Sequence, residues 1–411
     1  MNILHTSEFY HPSVGGMQEV VKQISERLVK FGHSVTVATS ALPGRKSNEL
    51  NGVKIVEFNI FGNAAHGIKG DIKAYQQFLL NSDFDIMVNF GTQQWVTDLV
   101  FPILDKIKAK KIFMPTGFPG MGETKYKKYY KEMPRWMSLY DMNIFLSDNF
   151  EHIDFARKNG IKDITVIHNG ASLEEFTRNN DIDIRNMLGL PKDVGLILTV
   201  GSHSGIKGHA ETIKIFNSAN IKNAVLLLIG NIFSKRNCLK NCLRLAKKSN
   251  SNKLNKQNCK RIIVRELSRP ETVSAFKQSD LFLFTSNTEC SPLVLFEAMA
   301  AGLPFLTTDV GNAAEIIQWS HGGMLLPTAP KSFLTKLLIA IQGLPYAHKL
   351  LGPPKPVRAD IGASTGLLEI LYKNKKLARE LGQNGHAAWK KDFTWDKIAK
   401  KYEELYLSLI K

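Results

Sequence analysis

The sequence is poor in cysteine and contains no long hydrophobic run, and each shortage excludes a class of protein. Four cysteines among 411 residues are too few for a disulfide-based fold. No stretch reaches the roughly 18 consecutive apolar residues that a membrane-spanning helix needs. The N-terminus lacks the basic segment and cleavage pattern of a signal peptide. With 44% hydrophobic residues the chain is not mainly disordered, and we expect a cytoplasmic protein of two globular domains.

Positive charge is in excess, and most of it lies in the C-terminal part of the chain. The net charge is +17, of which residues 1–170 contribute +3 and residues 171–411 contribute +14. Ten Lys and Arg residues fall in an acid-free stretch from Lys235 to Arg261. Such a block attracts nucleic acid, anionic lipid or a phosphorylated ligand, and it is equally typical of a solvated, poorly ordered excursion. Because the stretch lacks interleaved aromatic residues, nothing besides charge favours a nucleic-acid-binding protein.

The hydrophobic pattern predicts an α/β fold with two doubly wound parallel sheets. Residues 2–7 and 34–40 indicate strands, and the apolar residues between Met17 and Lys30 recur at helical spacing, which together make a βαβ unit. A second set of apolar strands begins at residue 195, after a polar junction at 173–193. We therefore expect an N-terminal domain at 1–172, a second domain at 173–390, and a C-terminal helix at 391–411 that packs back toward the first domain. Two facing domains of this kind would enclose a cleft for a small molecule.

Two glycine-containing turns follow predicted strands. Gly15 and Gly16 precede the first helix, where bare N–H groups favour an anion, although a lone Gly-Gly is more typical of a flexible turn that needs positive φ. The segment Val200–Gly208 follows the first strand of the second domain and carries Lys207, whose ammonium group can reach bound phosphate. Glycine and lysine are also ordinary loop residues, so neither turn identifies a ligand by itself.

The segment 285–311, TSNTECSPLVLFEAMAAGLPFLTTDVG, is the most informative one. Glu289 lies in a loop, and Glu297 follows eight residues later inside an apolar helix pattern. A glutamate in an apolar helix is costly to bury unless it is paired, and ribose hydroxyls would supply partners. Glu289, just before the helix, is placed to accept hydrogen bonds from a sugar. The alternative is a carboxylate that balances the helix dipole together with a surface glutamate.

This segment resembles the signature of the retaining glycosyltransferases of the family-4 type, which have the GT-B fold of two facing Rossmann-like domains. Further segments resemble the family in the same order along the chain: FYHPSVGGMQEVVKQISERLVKFGHSVTV, VGSHSGIKGHAETIKIF and DFTWDKIAKKYEELY, with TVIHNGASLEEF between the first two. The resemblance implies transfer of a hexose from a UDP- or GDP-linked donor, with retention of configuration and without a metal or other cofactor. The acceptor would be a glycan or lipid-linked glycan, as in cell-surface polysaccharide or glycolipid synthesis.

The resemblance also implies roles for individual residues. Glu297 would hold the ribose, Glu289 would contact the hydroxyls of the transferred sugar, and Lys207 would neutralise the departing diphosphate. Basic side chains and N–H dipoles would thus replace a metal, and no covalent nucleophile is implied. The other donor-binding positions are Gly16, Ser202, Gly311 and Asn312.

Three positions depart from the family pattern. Ser202 stands where an arginine is common, so half of the expected diphosphate clamp is missing and Lys207 would act alone or with a basic residue from elsewhere. Cys290 stands where glycine is usual. The active-site histidine of the first domain has no clear counterpart, and the nearest candidates are Thr116, Gln93 and Gln94.

Several alternative interpretations are open or disfavoured. A sugar-nucleotide epimerase of the same fold would share the nucleotide pocket. The two Asp-x-Asp sequences at 83–85 and 181–183 fit turns better than a metal site. The cysteines at 238, 242 and 259 lack a four-ligand set with finger-like spacing, so we interpret them as incidental thiols and expect no metal.

The segment 125–136, KYKKYYKEMPRW, mixes basic and aromatic residues and suits either a membrane surface or an amphipathic helix with inward tyrosines. A membrane surface would place the protein peripherally at the inner face of the membrane. Residues 343–364 look like an insertion of unknown role.

Overall fold

A computed structural model describes residues 1–178, 181–231, 236–328 and 357–411. These residues divide into two compact units. Unit 1 consists of residues 1–169 together with 395–411, and unit 2 consists of residues 170–328 together with 357–394. The division falls at Asn169, a few residues before the predicted junction, and the predicted insertion at 343–364 lies largely outside the described residues.

Unit 1 is built on an eight-stranded sheet. Its strand order is β10-β9-β8-β7-β1-β2-β4-β3, and all neighbours are parallel except β3 and β4. A separate antiparallel hairpin is formed by β5 and β6. The strands are β1 (Asn2–Thr6), β2 (Ser34–Ser40), β3 (Glu49–Leu50), β4 (Val53–Phe58), β5 (Ile60–Asn63), β6 (Gly67–Gly70), β7 (Ile86–Phe90), β8 (Lys110–Met114), β9 (Met142–Phe145) and β10 (Ile164–Val166).

The helices of unit 1 include the last helix of the chain. They are α1 (Gly16–Lys30), α2 (Ile72–Asn81), α3 (Trp95–Asp98), α4 (Lys127–Met137), α5 (Glu151–Lys158) and α16 (Trp395–Ile410), with 3-10 turns at Phe101–Lys106 and Thr124–Tyr126. Helix α16 packs on α1, where Arg27 Nε lies 3.2 Å from Asp396 Oδ1. His33 Nε2 also lies 2.9 Å from Glu403 Oε1. The chain thus returns to unit 1 after completing unit 2.

Unit 2 is a six-stranded, fully parallel sheet with the order β13-β12-β11-β14-β15-β16. This is the doubly wound order in which the topology reverses between the first strand, β11, and the fourth, β14. The strands are β11 (Gly195–Val200), β12 (Ala224–Ile229), β13 (Lys260–Arg265), β14 (Leu281–Phe284), β15 (Phe305–Thr307) and β16 (Gly323–Leu325). The helices are α6 (Leu173–Thr177), α7 (Ile184–Met187), α8 (His209–Ser218), α9 (Arg236–Ser251), α10 (Lys253–Gln257), α11 (Arg269–Gln278), α12 (Leu293–Ala300), α13 (Ala313–Ser320), α14 (Ile361–Lys373) and α15 (Lys375–Asp392).

Helices cover both faces of the sheet in unit 2, which explains its uninterrupted apolar strands. Successive side chains of a strand point to opposite faces. Accordingly Leu196 and Leu198 pack in one hydrophobic cluster, and Ile197 packs in another. The predicted α/β fold with two doubly wound sheets is confirmed. Among the described residues, no helix is both long and apolar enough to cross a membrane.

Candidate functional site

The first part of the candidate site is the Lys207 loop, residues 201–208, which follows β11 at the topological reversal. The loop ends at Gly208, whose φ of +65° is a conformation that favours glycine. A Cβ atom at Gly208 would lie 1.7 Å from the carbonyl oxygen of Thr285, so the backbones touch there. The Thr285 hydroxyl donates to the Gly208 carbonyl at 2.7 Å. The Lys207 loop is therefore seated directly on the end of β14.

The second part is the Glu289 loop, residues 285–292, which follows β14. Its Asn287 N–H donates to the Ile206 carbonyl at 2.8 Å, which ties it to the Lys207 loop. Lys207 Nζ lies 2.6 Å from Glu289 Oε1, and the side chains are 22% and 11% exposed. The structure thus brings together the two residues predicted to act on the diphosphate and on the sugar.

The third part is the turn between β15 and α13. Gly311 has a φ of +56°, and a Cβ atom on it would lie 2.3 Å from the Cys290 carbonyl oxygen. The N–H of Asn312, a buried residue, donates to the same carbonyl at 3.0 Å. Cys290, which departs from the family pattern, therefore anchors Gly311 and Asn312 beside Glu289 through its backbone.

Glu297 lies on α12, is buried, and has a guanidinium partner. Arg269 Nη1 donates to Glu297 Oε1 at 2.5 Å. Arg269 also makes a bidentate contact with Glu175, in which Nε donates to Oε1 at 3.1 Å and Nη2 donates to Oε2 at 2.7 Å. The sequence interpretation expected ribose hydroxyls as partners and missed Arg269, which follows β13. The signal was present in the S-R-P-E sequence at 268–271, where Ser268 and Glu271 form a capping box that begins α11.

Two other predicted donor-binding residues, Ser202 and Gly16, are not part of the Lys207–Glu289 or Arg269–Glu297 contacts. Ser202 is half-buried in the Lys207 loop, where its carbonyl accepts from Ser204 N–H at 2.8 Å. Arg269 places an arginine at the carboxyl edge of this sheet, although not at the family position. Gly16 belongs to unit 1, where it is the first residue of α1 and is exposed.

Unit 1 has a polar group at the carboxyl end of β1 that sequence reasoning missed. Burial, together with the neighbouring Asp98, raises the pKa of Glu8 from 4.5 to about 7. The Glu8 N–H donates to Gln94 Oε1 at 3.2 Å. Gln93 and Thr116 have φ values of 55° and 54°, which is uncommon for non-glycine residues and is found at functional sites. The residues named as substitutes for the missing histidine therefore follow β7 and β8, at the edge where Glu8 lies.

The basic and aromatic segment 125–136 is an amphipathic helix with inward tyrosines. Tyr126, Tyr129 and Tyr130 are all buried, and the Tyr129 hydroxyl donates to Asp98 Oδ1 at 2.8 Å. Of the two interpretations, the membrane-facing aromatic surface is wrong for the tyrosines. The lysines of the segment remain exposed.

The basic stretch from Lys235 to Arg261 is largely regular structure in the part described, and it forms α9, α10 and the start of β13. The expectation of a poorly ordered excursion is wrong for residues 236–261. Lys260 is buried and donates to the carbonyls of Phe216 and Ala219 at 2.6 and 2.7 Å, near the C-terminus of α8. It therefore serves the fold and cannot meet a membrane or a polyanion.

Two of the three cysteines that the sequence analysis interpreted as incidental thiols lie close to other candidate metal ligands. Cys238 and Cys242 lie with His203 and His209 in one cluster of four candidate metal ligands, whereas Cys259 is exposed elsewhere. The Asp-x-Asp carboxylates accept backbone hydrogen bonds: Asp85 Oδ2 accepts from Asn2 N–H at the start of β1 at 2.7 Å, and Asp183 Oδ1 caps α7 by accepting from Asn186 N–H at 3.0 Å.

Comparison with known proteins gives consistent matches over most of the chain. Residues 14–175 match the profile of Glycosyltransferase Family 4, and residues 180–350 match that of Glycosyl transferases group 1. The N-acetyl-alpha-D-glucosaminyl L-malate synthase of Bacillus anthracis is 21% identical, over 98% of this chain and 96% of its own. The lipopolysaccharide glucosyltransferase WaaG of Escherichia coli is 22% identical, over 76% and 82% of the two chains.

Solved structures show the same fold. A sucrose-phosphate synthase from Thermosynechococcus elongatus superposes with a TM-score of 0.75 at 17% identity, over 99% of this chain and 98% of its own. Anabaena Alr3699/HepE in complex with UDP and glucose superposes with a TM-score of 0.72 at 14% identity, over 99% and 100% of the chains.

Proposed function

We propose that the sugar donor of this protein is a nucleoside-diphosphate hexose, because the chain belongs to the glycosyltransferases of the family-4 type, which have the GT-B fold. In this proposal the sugar is transferred with retention of configuration, without a metal in the transfer step. The acceptor is a glycan or lipid-linked glycan, and the pathway is cell-surface polysaccharide or glycolipid synthesis.

The contact between Lys207 and Glu289 carries the proposal. It joins the loops after β11 and β14, the position where doubly wound sheets bind their ligands. Lys207 offers a positive charge to the diphosphate as it departs, and Glu289 offers a carboxylate to the hydroxyls of the sugar. Preorganised charges of this kind stabilise the developing negative charge without reorganisation. Glu289 acts here as a positioning and electrostatic residue, not as a nucleophile.

The neighbourhood of Glu297 supports a nucleotide site. A buried carboxylate held by Arg269 is a fixed acceptor for ribose hydroxyls, because the guanidinium contact orients it. The transition state of glycosyl transfer resembles an oxocarbenium ion. Same-face attack, in which the leaving phosphate takes the acceptor's proton, gives retention and needs no covalent intermediate.

The names of similar proteins support the choice of donor and acceptor classes. HepE was solved in complex with UDP and glucose and also in complex with UDP-glucose. The WaaG relative is named as a lipopolysaccharide glucosyltransferase. A UDP-hexose donor and a surface-glycan acceptor are therefore the first substrates to test.

A thermal-stabilisation screen tests the donor site. UDP- and GDP-linked hexoses are added to the wild type, to Glu297→Ala and to Glu380→Ala, which alters an exposed glutamate of the same unit. We expect one nucleotide sugar to raise the melting temperature of the wild type and of Glu380→Ala but not of Glu297→Ala. The donor-site proposal fails if no nucleotide stabilises the wild type, or if Glu297→Ala responds equally.

A second assay tests the reaction. With donor and a glycan acceptor, the anomeric configuration of the product is read by NMR, and transfer is measured with and without added Mg²⁺ or Mn²⁺. Product of retained configuration, formed equally without added metal, supports the proposal. Inverted product contradicts retention, and transfer that depends on added Mg²⁺ or Mn²⁺ contradicts a metal-free transfer step. Interconversion of the sugar nucleotide without acceptor would instead indicate an epimerase.

A lipid-linked acceptor would bring the enzyme to a membrane surface, and exposed lysines supply the charge for it. Lys127, Lys128 and Lys131 of α4 are exposed, as are Lys253 and Lys256 of α10. We expect co-sedimentation with anionic but not neutral vesicles, reduced by substitution of the lysines of one helix to glutamine. Vesicle binding that does not depend on lipid charge would contradict the proposed membrane association.

A further inference from the structure

Two histidines and two cysteines of unit 2 converge beside the candidate donor site. His203 and His209 stand on either side of Lys207, and Cys238 and Cys242 lie one turn apart on α9. One candidate ligand atom from each of the four lies within 4.8 Å of all the others. We call this group the histidine–cysteine cluster.

The distances within the cluster match those between ligands of one tetrahedral zinc ion. Cys238 Sγ lies 3.7 Å from His203 Nδ1 and 3.8 Å from His209 Nδ1. Zinc–sulfur bonds of about 2.3 Å and zinc–nitrogen bonds of about 2.0–2.1 Å place sulfur and nitrogen about 3.6 Å apart on a tetrahedron. The four side chains therefore need to move little to bind an ion.

The surroundings of the cluster also indicate a ligand. His203, His209 and Cys242 are buried, and Cys238 is half-buried. The Nδ1 atoms of both histidines face the Cys238 thiol, at 3.7 and 3.8 Å from its sulfur. Buried polar atoms are normally satisfied, and thiols are weak hydrogen-bonding groups, so the protein groups present satisfy this cluster poorly.

The chemistry of the donor set selects the metal. Thiolate and imidazole ligands in a tetrahedral set favour zinc over magnesium or calcium, which prefer oxygen. His203 and His209 are separated by five residues and Cys238 and Cys242 by three, both within the spacings of structural zinc sites.

We propose that His203, His209, Cys238 and Cys242 bind one zinc ion that ties the Lys207 loop to α9. Four protein ligands close the coordination sphere, so the ion is structural and takes no part in sugar transfer. Because its histidine ligands lie on both sides of Lys207, the ion fixes both ends of the short segment that carries this residue. The site is independent of the proposed function, since zinc binding is measured without a nucleotide.

Metal content and cobalt spectroscopy test the site. Wild-type protein purified without chelator is analysed for bound zinc, then stripped and titrated with Co²⁺. We expect about one zinc ion per chain, and the visible absorption of tetrahedral cobalt with a thiolate-to-cobalt charge-transfer band. Cys242→Ser and His209→Gln should lose most of the zinc. Cys259→Ser, which changes an exposed cysteine outside the cluster, should keep it.

Wild-type measurements keep the test decisive if a cluster variant does not fold. Removal of zinc should lower the melting temperature, and Zn²⁺ but not Mg²⁺ should restore it. The proposal is overturned if stripped wild type binds neither Zn²⁺ nor Co²⁺, or if its cobalt spectrum lacks the thiolate band. Equal loss of zinc from Cys259→Ser would overturn it as well.

Discussion

The ion pair between Lys207 and Glu289 predicts that removing the charge of one proposed site residue, Glu289, strengthens the binding of a nucleoside diphosphate. The two charges are 2.6 Å apart, so the carboxylate neutralises the lysine before a donor arrives. A nucleoside diphosphate that binds Lys207 has to compete with Glu289. We therefore expect Glu289→Gln to bind a nucleoside diphosphate without its sugar more tightly than the wild type, while sugar transfer falls.

The size of the effect follows from the exposure of the pair. Unit charges about 4 Å apart interact by about 4 kcal/mol at an effective dielectric constant of about 20, whereas exposed pairs contribute about 0.2–1 kcal/mol. The side chains of Lys207 and Glu289 are 22% and 11% exposed, which places the pair between these limits. A glutamine at 289 still accepts a hydrogen bond, so we expect a net gain of about 1 kcal/mol, or roughly fivefold in Kd.

Calorimetric titration with the nucleoside diphosphate and with its hexose conjugate measures the effect. The gain of Glu289→Gln should be largest at low ionic strength and should shrink as salt screens the charges. Glu297→Gln is the matched control, because it should weaken both ligands. If Glu289→Gln binds the nucleoside diphosphate no more tightly than the wild type at low salt, Glu289 does not compete for Lys207 and the reasoning fails.

Three further predictions concern stability. Gly208→Ala combines a left-handed φ with a backbone clash and should cost about 2–4 kcal/mol in urea unfolding, whereas Gly189→Ala has the same φ problem in open space and should cost about 1–2 kcal/mol. Glu8→Gln should raise the melting temperature at pH 8 but not at pH 4.5. Burial raises the pKa of Glu8 in the folded wild type to about 7, so wild-type stability falls as the pH rises from about 4.5 through 7. An equal shift in melting temperature at both pH values would refute this. Lys260→Ala should lower stability by about 1–3 kcal/mol through its lost carbonyl contacts, and Lys256→Ala, which is exposed, should change it by less than about 0.5 kcal/mol.

Much of the fold could be predicted because its strands are buried on both faces. A run such as residues 224–229, AVLLLI, is short and apolar throughout, which is typical of a covered parallel strand. The β5–β6 hairpin escaped prediction, because its short strands are half exposed and lack alternation. The C-terminal helix expected at 391–411 begins at Trp395, because the preceding helix α15 continues to Asp392.

The candidate site was predictable where its residues are close in sequence and not where topology joins them. Glu289, Gly311 and Asn312 belong to one continuous segment, and the structure keeps them together through Cys290. Arg269 begins α11, after another strand, and only the strand order brings it to Glu297. The histidine–cysteine cluster was missed because the cysteines were considered without the histidines, which lie some thirty residues earlier.

In the proposed donor site, Lys207 binds the diphosphate without the arginine that is common in the family at the position of Ser202. A single lysine can serve a diphosphate only if its position is fixed, because a flexible side chain on a flexible loop loses entropy on binding. Here the loop is held at Gly208 by contact with the end of β14, and at Ile206 by the Asn287 N–H. The histidine–cysteine cluster would add a third constraint on both sides of Lys207. On this reasoning, stripping zinc should weaken binding of the nucleoside diphosphate without abolishing it, since the two backbone contacts persist. Unchanged affinity after stripping would mean that the backbone contacts alone fix the lysine.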